Sequence, residues 1–258
     1  MKLSGTVLIT GASAGIGQAC ARAFAAAGAR LVLTARRFER IQTLAAELRE
    51  EHGTGCHLLE LDVRDRESVF RAVGGLPAEW AEIDVLVNNA GLGRGVDKLH
   101  AGDPDGWDEM VDTNVKGLLY VTRAVTPGMV QRGRGHVINL GSVAGHEVYP
   151  GGAVYCATKH AVGAITKGMR MDLLGTGIRV STVDPGMVET EFSVVRFGGD
   201  AERAANVYRG MTPLNAADIA DTIVWVATRP AHVNIDEIII KPTDQASATL
   251  VHRPGAKA

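Results

Sequence analysis

Thr6-Val7-Leu8-Ile9-Thr10-Gly11-Ala12-Ser13-Ala14-Gly15-Ile16-Gly17 is the stretch that decides the fold. A short β-branched apolar run, Thr6–Thr10, passes directly into a glycine-rich loop, and a helical pattern over Gly17–Ala27 follows at once. Glycines let the backbone turn sharply and approach a pyrophosphate closely. The start of the helix then offers unpaired N–H groups and a positive dipole end to phosphate. The spacing is GxxxGxG and not the GxGxxG of the standard dinucleotide fingerprint. A lone loop of this kind is equally a tight turn; its position at the first strand-to-helix junction is what points to a nucleotide. Gly11, Ser13, Ala14, Gly15, Ile16 and Gly17 are the residues it assigns to a nucleotide.

Outward from the loop, strand and helix patterns alternate along the chain. Strands are expected at Thr6–Thr10, Arg30–Ala35, Cys56–Leu61, Ile83–Asn88, His136–Gly141, Ile178–Val183 and Glu237–Ile240. These runs are nearly continuous in hydrophobicity, as strands buried on both faces are. Helical patterns cover Gly17–Ala27, Arg40–Glu51, Arg66–Val73, Trp107–Gln131, Val154–Leu174 and Ala217–Ala227. This alternation implies βαβ units with right-handed crossovers. The fold class is therefore α/β: one Rossmann-like, doubly wound domain with a mostly parallel seven-stranded sheet and helices on both faces. The domain is expected over residues 1–242. Residues 243–258, polar and small, read as a C-terminal tail that is frayed or reaches a neighbouring subunit.

Composition narrows the function classes. The 258 residues carry a formal net charge of −2 and 46% hydrophobic residues, and glycine is abundant at 31 positions. A near-neutral balance gives no electrostatic reason for a nucleic-acid partner. The apolar stretches fall short of the ~20 residues a membrane helix needs. The N-terminus lacks the apolar segment of a signal peptide. Cys20, Cys56 and Cys156 are far apart, odd in number and outside any zinc-ligand spacing, so no metal is expected and the cytoplasm is the expected compartment. Cys156 is read as a packing residue.

The second strand ends at Ala35 and is followed by Arg36 and Arg37. A site for NAD places an acid near this strand end to bond the ribose hydroxyls. Two guanidinium groups instead suit a 2′-phosphate, which they grip with charge-assisted bonds. The expected cofactor is NADP(H). Glu39 reads as a first-turn helix acid.

Asn88-Asn89-Ala90-Gly91 ends the fourth strand, Gly141-Ser142 follows the fifth, and Tyr155-Cys156-Ala157-Thr158-Lys159 begins 13 residues after that serine. Asn114 stands in Asp112-Thr113-Asn114-Val115, and Asp184-Pro185-Gly186-Met187 ends the sixth strand. Together with the glycine loop, this ordered set resembles the short-chain dehydrogenase/reductase family from Thr6 to about Pro242. Part of the chemistry is legible without the family. Tyr155 and Lys159, four apart, share one helix face. A tyrosine with its ordinary pKa near 10 exchanges protons poorly at neutral pH. A nearby ammonium and a cationic nicotinamide lower that value. Tyr155 is thus the expected general acid in carbonyl reduction and base in alcohol oxidation.

The resemblance implies further roles. Ser142 holds the substrate oxygen, Lys159 also grips the nicotinamide ribose, and Asn114 anchors a water chain to Lys159. Asp62 and Val63 flank the adenine. Asn89, Ala90 and Gly91 line the cofactor cleft. Pro185, Gly186 and Val188 lie on the nicotinamide side, and Thr190 reaches the carboxamide or phosphate. A homotetramer is the family's common assembly.

A narrower similarity lies in Ala35–Arg40, Leu76–Trp80, Thr190–Phe197 and Pro230–Ile235. It points to the bacterial subgroup of NADP-dependent 3-hydroxy acid dehydrogenases acting on serine and L-allo-threonine, and to sulfoacetaldehyde reductases. Both implied substrate types carry a small anion beside the reacting carbon, so the pocket requires a cation. Arg196 is the first candidate, followed by Arg209 and Arg94. Gly93-Arg94-Gly95 and His146-Glu147-Val148-Tyr149 depart from the subgroup, and His146 is read as a rim residue. Reduction of another aldehyde or ketone is the alternative activity. A non-catalytic NADP-binding regulator is a third reading, weakened because all four catalytic positions are intact.

Overall fold

The computed structural model describes residues 3–254. Met1, Lys2 and the last four tail residues, 255–258, lie outside the described residues. Seven strands form one sheet in the order β3-β2-β1-β4-β5-β6-β7. They are β1 (Thr6–Thr10), β2 (Arg30–Ala35), β3 (Cys56–Glu60), β4 (Ile83–Asn88), β5 (Gly135–Leu140), β6 (Ile178–Pro185) and β7 (Glu237–Ile240). Every strand pair is parallel, so "mostly parallel" becomes wholly parallel.

The helices are α1 (Gly15–Ala26), α2 (Phe38–His52), α3 (Arg66–Gly74), α4 (Ala78–Ala81), α5 (Pro104–Val111), α6 (Leu118–Arg132), α7 (Ala153–Asp172), α8 (Glu191–Arg196), α9 (Ala201–Asn206) and α10 (Ala216–Ala227). The continuous helix expected over Trp107–Gln131 is interrupted by a π-helical stretch, Asp112–Gly117. Such stretches concentrate at functional sites, and this one carries Asn114. The short helices α8 and α9, six residues each, have too few turns to show a helical period. Local chemistry sets several helix starts. Asp103 caps α5 ahead of Pro104, and Asn215 with Asp218 forms a capping box at α10.

Both faces of the sheet are covered, as the unbroken apolar strands require. In β1, Val7 and Ile9 join one core with α1, α2 and α10, while Leu8 points into the other with Val69 of α3 and Val121 and Val125 of α6. The strand order reverses direction between β1 and β4, and crevices at such switch points receive ligands. The glycine loop, Asn89, Ser142 and Pro185 all follow or end strands at this carboxyl edge.

The described part of the tail, residues 243–254, is held by hydrogen bonds to earlier loops. It reaches the carboxyl end of β6, where the Met187 N–H bonds the side chain of Gln245, and Gln245 is buried. Its backbone pairs with Val251 in an isolated antiparallel bridge.

Candidate active site

The cofactor cleft begins where β1 meets α1. Gly15 adopts φ +52°, a conformation costly for any residue with a Cβ. A Cβ on Gly17 would stand 2.4 Å from the Gly11 carbonyl, so only glycine permits this packing of helix on loop. No side chain caps α1, which leaves its first N–H groups directed at the cleft. Thr10, a residue the sequence reading missed, ties β1 to β4: its Oγ1 accepts from the N–H groups of Asn89 and Ala90, each at 3.0 Å. Asn89 reciprocates by donating to the Thr10 carbonyl at 2.8 Å.

The cleft brings together Gly11, Ala14, Gly15, Ile16, Arg36, Arg37, Asp62, Val63, Asn89, Ala90, Gly91 and Thr190. Ser13 borders it, accepting from Arg37 Nε at 3.3 Å. Arg64 chelates the Asp62 carboxylate; burial opposes ionisation there, but these bonds hold its pKa below the ordinary value. The cleft therefore fits a dinucleotide: glycines where backbone must approach, free helix N–H groups, and arginines at the end of β2. One partner was absent from the sequence reading. Glu191, in the first turn of α8, accepts from Arg37 at 2.9 Å and from Arg40 at 2.7 Å. Its pKa is held low, first by the bond from Arg40. A sequence separation of 151 hides the Arg40–Glu191 pair from any local pattern.

A second cavity of about 280 Å³ adjoins the cleft and is lined by Ser142, Tyr155, Lys159, Pro185, Gly186, Val188 and Arg196, among others. Ser142 follows β5 and Tyr155 lies in the first turns of α7. Ser142 Oγ accepts from the Ala144 N–H at 3.1 Å, which fixes the hydroxyl at the head of a short 3₁₀ turn. Lys159 is buried and donates to the Leu140 carbonyl at 2.8 Å. Burial brings its pKa down to about 8, against the opposing pull of Asp184. Asn114 accepts from the Leu92 N–H at 2.8 Å and donates to the Leu92 carbonyl at 2.8 Å and to Thr158 at 3.0 Å. It thereby pins the loop after β4 to the helix that carries Tyr155.

Tyr155 differs from expectation in its electrostatics. Burial pushes its pKa well above 10, Tyr149 adds to the rise, and Ser142 and Arg196 pull it down. Lys159 Nζ lies 6.0 Å from the Tyr155 ring centroid and is turned toward Leu140. Arg196 is nearer: its Cζ stands 5.3 Å from the same centroid. Arg196 also donates to the Tyr149 hydroxyl and to the Gly95 carbonyl, each at 3.0 Å.

The other candidate cations are placed elsewhere. Arg94 is committed to Glu109 at 2.6 Å and to the Val195 carbonyl at 2.7 Å, and so serves as a scaffold for α8. Arg209 does not line the cavity. His146 proves more than a rim residue, since its Nε2 meets Asp184 Oδ2 at 2.5 Å beneath the Ser142 loop. Cys156 is fully buried, as a packing residue is.

A family model for short chain dehydrogenase matches residues 5–197. The chain belongs to that family. An NADP-dependent 3-hydroxy acid dehydrogenase of Salmonella typhi is 49% identical over 96% of this chain and 99% of its own length. A serine 3-dehydrogenase of Rhizobium radiobacter is 46% identical over 95% of this chain and 97% of its own length. Among solved structures, the closed form of a serine dehydrogenase complexed with NADP+ superposes with a TM-score of 0.90, at 46% identity over 96% of this chain and 99% of that one. This short-chain dehydrogenase is thus an oxidoreductase acting on hydroxyl groups. No described helix is long and apolar enough to cross a membrane.

Proposed function

We propose that this short-chain dehydrogenase is an NADP(H)-dependent oxidoreductase of small 3-hydroxy acids, of the serine, L-allo-threonine and 3-hydroxypropionate class. The observation that carries the reading is Arg196: a cation in the same cavity as Ser142, Tyr155 and Lys159, stacked over the tyrosine ring. A carboxylate two carbons from the reacting hydroxyl meets that cation while the hydroxyl meets Tyr155. The names of the relatives point to the same substrates and cofactor.

When bound, the nicotinamide supplies the hydride acceptor in oxidation and the hydride donor in reduction. The chain supplies orientation and the proton. Ser142 holds the substrate oxygen with its hydroxyl. Tyr155 takes the hydroxyl proton in oxidation and returns one to the carbonyl oxygen in reduction. Lys159, charged below a pH of about 8, stabilises the phenolate through space. Arg36 and Arg37 hold the 2′-phosphate. Asn114 keeps the Gly91–Leu92 backbone and α7 in register.

The deciding experiment follows NADPH absorbance with purified protein. L-serine, L-allo-threonine, 3-hydroxypropionate and 3-hydroxyisobutyrate are offered with NADP+, and sulfoacetaldehyde with NADPH, with NAD(H) in parallel. Turnover of the hydroxy acids with NADP+ is the expected result. Turnover of sulfoacetaldehyde alone would move the anion to a sulfonate and overturn the carboxylate reading. A homotetramer is the proposed assembly, supported by exposed Val111, Leu119 and Val130 on α5 and α6. Light scattering on the eluting protein tests it, and a monomer mass would remove it.

A further inference from the structure

The C-terminal segment makes contacts that its composition does not announce. Gln245 is 5% exposed. Its Oε1 accepts from the Met187 N–H at 2.8 Å, and its Nε2 donates to the Ser247 carbonyl at 3.1 Å. A Cβ on Gly186 would stand 2.1 Å from Gln245 Oε1, so the amide is seated directly on the Gly186-Met187 backbone. Three residues on, the Ala248 N–H donates to Glu147 Oε2 at 2.7 Å. Glu147 belongs to the loop after β5, and Lys241 Nζ approaches its other oxygen at 3.6 Å. Asp244 accepts from the Thr212 N–H at 2.8 Å, and Arg253 donates to the carbonyls of Val207 and Arg209. Residues 244–253 are thus fastened on one side to the loop that carries Ser142 and on the other to the connection between β6 and α10.

Two residues of this strap, Gln245 and Ala248, line the cavity that holds Ser142, Tyr155 and Arg196. The strap is a short turn closed by its own backbone bonds, Ala246 N–H to the Leu250 carbonyl at 2.9 Å and His252 N–H to the Asp244 carbonyl at 2.7 Å, and the bonds of Gln245, Ala248, Asp244 and Arg253 set where that turn sits against the pocket. Where the wall of a small pocket is built this way, its fasteners fix the volume left for substrate. One methylene more or less in such a pocket is enough to discriminate.

We propose that the strap is the size-determining wall of the substrate pocket, with Gln245 as the positioning residue that seats it and Ala248 as the residue that limits substrate length. The proposal rests on the cavity around Ser142 and Tyr155 being the substrate site. It predicts opposite effects from two variants. Ala248→Phe fills the pocket and narrows the accepted range. Gln245→Leu removes the bonds to Met187 and Ser247, releases the strap and broadens the range.

The test measures kcat/KM for 3-hydroxy acids of graded length, 3-hydroxypropionate and 3-hydroxyhexanoate, with NADP+. Propanal and hexanal are run with NADPH in parallel, and NADP+ affinity is followed by fluorescence as a check on the folded cleft. The expected long-to-short ratio of kcat/KM falls about tenfold in Ala248→Phe and rises about tenfold in Gln245→Leu, chiefly through KM. A purely structural role scales long and short substrates alike, and that result overturns the proposal. So does an unchanged ratio in Gln245→Leu. If the wild type reduces the aldehydes but oxidises neither acid, the carboxylate reading fails while the aldehyde ratio still decides the strap.

Discussion

Arg196 stands between two phenols: its Cζ lies 5.3 Å from the Tyr155 ring centroid, and its guanidinium donates to the Tyr149 hydroxyl at 3.0 Å. It ends α8, whose first turn carries Glu191 against Arg37 and Arg40. One short helix thus joins the arginines assigned to the cofactor phosphate to the cation assigned to the substrate. The placement gives Arg196 two electrostatic consequences. It is the cation we propose for the substrate anion, and it favours the Tyr155 phenolate, whose formation burial opposes.

Replacing Arg196 separates these consequences. Arg196→Ala is expected to raise KM for a hydroxy acid by about tenfold or more, the order of a lost charge-assisted bond. It also removes a cation that lowers the Tyr155 pKa, so that pKa rises further. Oxidation requires the phenolate, and the ascending limb of its pH profile therefore moves to higher pH. Reduction uses the neutral phenol and keeps its rate on an uncharged aldehyde near neutral pH. Arg196→Lys keeps the charge and retains more of the alkaline activity. An unchanged KM for the acid, or a pH profile that does not move, counts against the assignment.

Lys159 is held at a cost. Burial depresses its pKa to about 8, below the ordinary value near 10.5. Below about pH 8 both folded and unfolded states carry the proton, and the full desolvation cost is present. Between about pH 8 and 10 the unfolded chain binds more protons, so wild-type stability rises relative to a chain without this lysine. Lys159→Met is expected to abolish turnover yet raise stability at pH 7 by roughly 1–3 kcal/mol, the order seen when buried charges give way to apolar groups. The gap between variant and wild type narrows as pH climbs from about 8 to 10. Thermal melts across that range check it; a variant less stable at pH 7 would show that the bond to Leu140 outweighs the burial.

The sheet was almost fully legible in the sequence because its central strands are buried on both faces and its edge strands, though partly exposed, are still apolar runs. Thr6–Thr10, Arg30–Ala35, Ile83–Asn88 and Glu237–Ile240 stand where the apolar runs place them. Legibility falls where structure depends on distant partners. The π-helical stretch at Asn114 has no signature in a period of 3.6, and the side-chain network from Leu92 to Thr158 that surrounds it spans separate elements. Glu191 could be read as an acid but not as the partner of Arg37 and Arg40. The tail reads as polar and small because its order comes from single hydrogen bonds of Gln245, Ala248 and Arg253 to loops far back in the chain. A motif marks which residues meet; it carries little about which charges lie beside them, as Tyr155 and Lys159 illustrate.

The arginines after β2 give a test of cofactor choice. Arg37 lines the cleft, and its guanidinium bonds Glu191 and Ser13 at the exposed surface. Arg37→Ala is expected to weaken NADP+ about tenfold or more, the order of a charge-assisted bond, and to leave NAD+ nearly unchanged. Glu191 competes with the phosphate for the same guanidinium. Glu191→Gln should therefore tighten NADP+ by only about two- to fivefold, because an exposed ion pair is worth less than about 1 kcal/mol. Titrations of nucleotide fluorescence or calorimetry measure both. Weaker NADP+ binding in Glu191→Gln would instead mean that the carboxylate holds the arginines in place for the phosphate.

Asp184 offers the sharpest steric test. Its carboxylate is buried at the end of β6, accepts from Thr182 Oγ1 at 2.5 Å and meets His146 at 2.5 Å. Burial raises its pKa, and the bonds from Thr182 and His146 oppose that rise. A Cβ on Gly141 would stand 1.8 Å from Asp184 Oδ1. The two bonds leave this carboxylate little freedom to retreat, so Gly141→Ala must shift either the β5 end or Asp184. The expected cost is about 1–3 kcal/mol, the order of overpacking a filled interior. That lowers Tm by several degrees in a chain of this length. Because Gly141 precedes Ser142, kcat should fall as well, while NADP+ affinity, set mainly on the far side of β1, stays close to wild type. Gly141→Ala melting with wild-type Tm would show that the carboxylate moves freely, and the His146–Asp184 pair would then lose its place as the support beneath the serine loop.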